Sequence, residues 1–343
     1  MSRALLSPAY AHRLIALADP VGSGPDLSSL PAAAVPELLA AARQHLVLPV
    51  VWRRLEVLRG RETAVALDEA HRELELQTAH SMLLAYHASR IEAGLSQARV
   101  RFSIVKGAAF ASLYPHASDR PFTDIDILID PSDRPAVNAT LEAMDFAPVP
   151  RKTIDHSAAY GEFKWTARQA PNVLVEVHLN LVHYPLLRRT VSLSLDDLAA
   201  FGGAQAPAGR LMVAVAHAAA GHKFHALRLI VDVLQASRAM GREASHAFVQ
   251  TAARQGWALE AGFALDLAGR LYGDAQTTAI ATLLPPSSAR AVAARLLSES
   301  AILDAPLHGV ASRIRRTLVR GLQHLRPALR RQGGGPGARP ASG

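Results

Sequence analysis

Apolar residues recur at helical spacing along much of the chain. Leu84, Ala88, Ile91 and Leu95 step by four, three and four positions, within a pattern running from about residue 63 to 98. Residues 36–58 read as another helix, with Leu38, Leu39, Ala42 and Leu46 on one face. The period then changes. Residues 101–105 predict a strand leading to Lys106-Gly107, residues 108–114 a short helix and residues 115–122 a loop. Residues 124–129 alternate acidic and apolar positions, as a half-buried strand does, and Asp130-Pro131 closes them. A helix over 133–144 and strand-like segments at 160–166 and 173–181 follow. Helical spacing returns from Leu195 to about Leu325, and the Gly-Pro-rich residues 332–343 predict disorder. The chain therefore reads as α+β. A small mixed-sheet core (99–190) lies between an N-terminal helical region (1–98) and a C-terminal one (191–310). A basic amphipathic helix and disordered tail (311–343) complete it.

Composition narrows this picture. At 343 residues the chain exceeds one ordinary core, and its half-hydrophobic, aromatic-poor make-up favours a largely helical globular protein. The absence of cysteine excludes a disulfide framework, a thiolate zinc site and a cysteine nucleophile. Any metal must be held by oxygen or imidazole, which suits magnesium or manganese. No segment predicts a transmembrane span, since the alanine-rich run from Leu211 is interrupted by His217, His222 and Lys223. The first residues include Arg3, His12 and Arg13 without an apolar core, so the expectation is a cytoplasmic protein without a signal peptide. From Ala305 onward there are eight arginines and no acidic residue, so the net charge of +8 resides in the tail.

The candidate chemistry lies in the strands. Side chains alternate across a strand, so Asp124 and Asp126 share one face while Ile125, Ile127 and Ile129 take the other. Their Cα atoms stand roughly 6.5–7 Å apart, close enough to share one or two divalent ions. Asp-x-Asp alone is more often the wet face of an ordinary strand. Its surroundings change the balance. Upstream, Lys106-Gly107 at a helix start offers a cation and backbone amides to phosphates, and Arg120 precedes Asp124 by four residues. Downstream, Glu176 and His178 share a polar face against Val173, Val175 and Val177, offering a third carboxylate.

Val105-Lys106-Gly107, the Arg120-to-Leu128 segment and Glu176-Val177-His178 together resemble the signature of the DNA polymerase beta-like nucleotidyltransferase superfamily. They resemble more closely the bacterial family of uncharacterised nucleotidyltransferases. There a Lys-Gly pair, an Arg-x-x-(Ser/Thr)-Asp-x-Asp element and a Glu-x-His strand follow in this order. His217, Arg228 and Asp232 are similar to the helical segment after that core. The resemblance implies a nucleotidyltransferase fold that moves a nucleoside monophosphate from a nucleoside triphosphate to an unidentified hydroxyl-bearing acceptor. It makes Asp124, Asp126 and Glu176 the catalytic and metal-binding carboxylates. Lys106, Gly107, Arg120, Thr123 and His178 become the nucleotide-binding residues, with Mg2+ or Mn2+ as cofactor. One position departs from the superfamily pattern: Ala108 stands where a serine ordinarily follows the glycine. The rival reading is a non-catalytic protein of this fold acting through its basic tail.

His217, His222 and His225 lack the spacing of a metalloprotease helix and read more readily as buried or cleft-lining histidines than as a zinc site. In the tail, Ile314, Leu318, Leu322 and Leu325 form a stripe opposite Arg313, Arg316 and Arg320, and Pro327 stops the helix. The stripe predicts a surface helix docked by its leucines; RNA, an acidic partner or anionic lipid are the partners its arginines would suit.

Overall fold

A computed structural model describes residues 8–149, 160–303 and 310–324. Five strands form one mixed sheet: β1 (Phe102–Val105), β2 (Ile125–Ile129), β3 (Phe146–Pro148), β4 (Glu162–Ala167) and β5 (Leu174–His178). Their order is β1-β2-β5-β4-β3. Only β2 and β5 run parallel; every other neighbouring pair is antiparallel. The α+β architecture expected from the sequence is therefore present, with the sheet between helical stretches.

Alternation along the strands divides the sheet into two chemically distinct faces. On one, Ile125, Ile127 and Ile129 of β2 and Val175 and Val177 of β5 are buried in a cluster with Leu84, Ile91 and Leu95 of the long helix Ala64–Gln97. Val137 and Leu141 of the helix Arg134–Ala143 join them. The spacing of Leu84, Ile91 and Leu95 is what turns one face of that helix onto the sheet. The other face bears Asp126, Glu176 and His178, with Glu162 and Lys164 on β4, and looks toward the C-terminal helices. A second apolar cluster unites both helical regions: Leu14, Val35, Leu38 and Leu55 pack in the same core as Leu211, Leu229, Phe263 and Leu265.

Two segments correct the sequence reading. Residues 36–58 are not one helix but two, Ala34–Gln44 and Leu48–Leu55, followed by a 3-10 turn Glu56–Leu58. The break falls at Leu46, whose φ of 59° lies in the left-handed region, just before Pro49, which suits the first turn of a new helix. Leu46 itself is partly exposed rather than aligned with Leu38 and Leu39.

The basic helix Val310–His324 is docked, but through a different face from the predicted one. Ile314 and Leu318 are exposed, while Arg315, Val319 and Gln323 are buried. The rotation has a polar cause. Glu260, on the helix Ala258–Tyr272, is fully buried and needs donors; Gln323 Nε2 reaches its Oε1 at 3.2 Å and the Ala219 carbonyl at 3.3 Å. Leu325, Pro327 and the Gly-Pro-rich end lie outside the described residues. Among the described residues no helix is long and apolar enough to cross a membrane.

Candidate active site

β1 ends at Val105, and the chain turns sharply into the short helix Gly107–Ala111. Lys106 makes this turn at φ 58°, a conformation that costs a non-glycine residue about 1–3 kcal/mol and persists where the surrounding structure enforces it. Gly107 follows at φ 44°, in the region glycine enters without penalty. The turn directs the Lys106 ammonium toward β2, where Nζ lies 2.5 Å from Asp126 Oδ1.

Asp126 is almost wholly buried and paired twice, since His178 Nε2 also stands 2.9 Å from its Oδ1. Burial works to raise the Asp126 carboxyl, but the Lys106 charge and the His178 hydrogen bond prevail and hold it well below the usual carboxylate range. Burial likewise depresses the Lys106 ammonium, while Asp126, and then Asp124 and Glu176, lift it above its ordinary value. Asp126 is thus held as a carboxylate in a pocket built for charge.

Glu176 neighbours Asp126 across the parallel β2–β5 pair, so both carboxylates rise from the same sheet face. Its partner is Lys164 of β4, directly across the next ladder, and Lys164 also reaches Glu162 at 3.1 Å. His178 stacks on His183 with ring centroids 5.0 Å apart, and His183 Nδ1 lies 3.2 Å from Glu162 Oε2.

Asp124 differs from these. It sits just before β2 begins, half-buried, with no hydrogen bond or ion pair among the described residues. Burial raises its carboxyl above the ordinary value, and the nearby Asp126 and Glu176 charges raise it further against the pull of Lys106. A carboxylate held beside like charges without a partner of its own is where an added cation gains most.

The fit of a divalent ion can be tested on these donors. Ligand atoms of Asp126, Glu176 and His178 all lie within 4.8 Å of one another, as do those of Glu162, His178 and His183. The first set is mainly carboxylate, which suits magnesium or manganese. Asp124 stands outside both sets but lines the same cleft.

Two cavities flank this group. The larger, about 500 Å³, includes Lys106, Asp124 and Glu176 with Lys164 and His183. The smaller, about 330 Å³, is lined by Gly107, Arg120, Phe122, Thr123 and Asp126. Lys106, Asp124, His217 and His222 belong to both, so the cavities form two arms of one cleft. His225 lines the smaller arm, and the three histidines meet edge to face, with centroids 4.7 and 4.9 Å apart.

Arg120 is placed differently from the other expected phosphate ligands. Its guanidinium is buried and grips Asp232 through Nε at 3.1 Å and Nη2 at 2.9 Å, while Tyr114 donates its hydroxyl to the same carboxylate at 2.8 Å. It ties the loop before β2 to the helix Leu227–Arg238. Glu162, Lys164 and His183 were not singled out from the sequence. The alternation of Glu162 and Lys164 against Phe163 and Trp165 carried a signal for two of them; His183 follows its strand without one.

The family model described as Uncharacterised nucleotidyltransferase matches residues 31–273, spanning all five strands and most of the C-terminal helices. No curated protein matches the chain. No solved structure matches it either.

Proposed function

Because the chain belongs to the uncharacterised nucleotidyltransferase family, we propose that it transfers a nucleoside monophosphate from a nucleoside triphosphate to a hydroxyl-bearing acceptor, with Mg2+ or Mn2+. The observation that carries this reading is the register of Asp126 against Glu176, which brings two carboxylates together beside Asp124 and a partly buried lysine.

In this reading Asp124, Asp126 and Glu176 hold the metal. A divalent ion bound there would neutralise charge on the phosphate oxygens and favour ionisation of the attacking hydroxyl. Lys106, Gly107 and Thr123 receive the phosphates in the smaller arm. Ala108 brings no hydroxyl to that arm, whereas Thr123 does. The acceptor oxygen attacks the α-phosphorus, the bond to the bridging oxygen breaks, and pyrophosphate leaves with that electron pair. Glu176, on the opposite arm, takes the hydroxyl proton. His178 and Lys106 hold Asp126 ionised and fixed, and Arg120 positions the loop that carries Asp124. Catalysis of this kind depends on positioning and charge neutralisation.

The test is incubation with Mg2+ and triphosphates labelled at either the α- or the γ-phosphate, in the presence of a metabolite extract. Label should enter a product only from the α-position, and Glu176→Gln should suppress the transfer. Transfer of γ-label, or equal α-label transfer by Glu176→Gln, would overturn the assignment.

A further inference from the structure

In the larger arm of the cleft, two cations have no part in the proposed chemistry. Lys106 and Lys164 are each clamped to a carboxylate. Lys223 and Arg320 line the same larger arm, and neither has a carboxylate within ion-pair distance among the described residues. Lys223 is nearly fully buried, its ammonium donating to the Ala220 carbonyl. Arg320 comes from the docked basic helix and lies over the Tyr184 ring, 4.7 Å from its centroid. Burial, and then the neighbouring Arg320 charge, push Lys223 down to about 8. Two cations thus line a space that Asp124 and Glu176 also line.

The backbone beneath Lys223 is unusual too. Residues Ala216–Gly221 form a π-helical turn, and Lys223 and Phe224 follow at φ 52° and 58°. Two adjacent non-glycine residues in the left-handed region cost about 1–3 kcal/mol each, and π-turns of this kind cluster at functional sites. The strain is enforced from behind: Phe224 is fully buried, and its amide donates to the Ala218 carbonyl at 2.9 Å. An arrangement that spends conformational energy to bury a lysine with no carboxylate partner, in a cavity an arginine also lines, is suited to receive an anion.

Resting on the nucleotidyl-transfer reading above, we propose that Lys223 and Arg320 form an anion subsite holding a phosphate or carboxylate group of the acceptor. The cleft's own asymmetry assigns it to the acceptor rather than to the triphosphate. Glu176, which takes the hydroxyl proton, lines this arm, whereas Gly107 and Thr123 line the other. An arm of about 500 Å³ has the size of a small-molecule site. The acceptor class is therefore a small hydroxyl compound bearing an oxyanion, and the C-terminal helix is part of its binding site.

The experiment uses the full chain saturated with Mg2+ and a non-hydrolysable triphosphate analogue. Inorganic phosphate and acetate are then titrated calorimetrically into the wild type, Arg320→Gln and Lys223→Met. One of the two anions should bind the wild type, phosphate indicating a phosphate-bearing acceptor and acetate a carboxylate-bearing one. Each substitution removes a charge-assisted contact and should weaken that binding by about tenfold or more, while triphosphate affinity changes less than about twofold. Arg320 is exposed, so Arg320→Gln decides the matter even if Lys223→Met fails to fold. Two results would overturn the subsite: neither anion binding the wild type, or unchanged anion binding in Arg320→Gln. Parallel loss of triphosphate affinity would instead give these cations to the nucleotide and overturn the acceptor assignment. If the wild type binds no triphosphate with Mg2+, the nucleotidyl-transfer reading fails, and with it the acceptor role; titration of phosphate into the protein alone then reports the anion site separately.

Discussion

Arg120 and Asp232 form a buried pair whose removal is asymmetric in energy. Arg120→Leu leaves the buried Asp232 carboxylate with the Tyr114 hydroxyl and the more distant Arg228 charge in place of its bidentate partner, and should destabilise the protein toward the lower end of about 3–5 kcal/mol. The double variant Arg120→Leu/Asp232→Leu should recover part of that loss, because the buried carboxylate is gone while the Arg228 guanidinium loses the Asp232 charge that favours it. Urea denaturation of the three proteins checks this; a cost below about 1 kcal/mol for Arg120→Leu would mean the pair does not carry the load described. The same pair marks what single residues disclose in sequence. Asp126, Glu176 and His178 were legible as site candidates because strand alternation sets each on a polar face of its own strand. Arg120 was legible as a conspicuous charge, but its partner lies 112 residues away, and only tertiary structure brings the two together. Lys223 and Arg320 line one arm of the cleft from a comparable separation in sequence and carry no local motif.

Elements were legible where periodicity is strong. The long helix Ala64–Gln97, the helix Arg134–Ala143 and the strands β1, β2 and β4 all fall within about two residues of their predicted positions, and β5 ends three residues before its predicted end. Breaks and orientations were less so. The turn at Leu46 requires a left-handed residue that no glycine announces, and the basic helix turns by one position because buried Glu260 recruits Gln323. That rotation can be measured. Val319 is fully buried, so Val319→Ala should cost about 1–3 kcal/mol, whereas Leu318→Lys on the exposed face should stay within about 0.5 kcal/mol. The reverse ranking would restore the leucine stripe as the docked face. Because this helix also supplies Arg320 to the cleft, removing residues 311–343 would disturb both packing and site.

The molecule as a whole places a charged sheet face against a helical body drawn from both ends of the chain. Asp19, at the end of the first helix, pairs with Arg238 at 2.6 Å, and Arg238 also reaches Asp274 at 2.8 Å, fastening the N-terminal helices to the C-terminal ones. Such long-range closure has no sequence period, which is why the two helical regions read separately while sharing one core. The cleft lies where that body meets the sheet, and Asp124, Asp126 and Glu176 are the three carboxylates gathered there. Asp124 tests them most cleanly, because it has no hydrogen-bond partner among the described residues whose loss would disturb the fold. Asp124→Asn removes like-charge repulsion and should match or exceed the wild type in thermal stability; relief of this kind commonly adds about 0.5–2 kcal/mol. The decisive measurement is the calorimetric affinity of a nucleoside triphosphate for wild type and Asp124→Asn, with Mg2+ and with chelator. The carboxylate site predicts Mg2+-dependent binding by the wild type and loss of that dependence in a folded Asp124→Asn. Equal affinity with and without Mg2+ in the wild type, or unchanged Mg2+-dependent affinity in the variant, would contradict it.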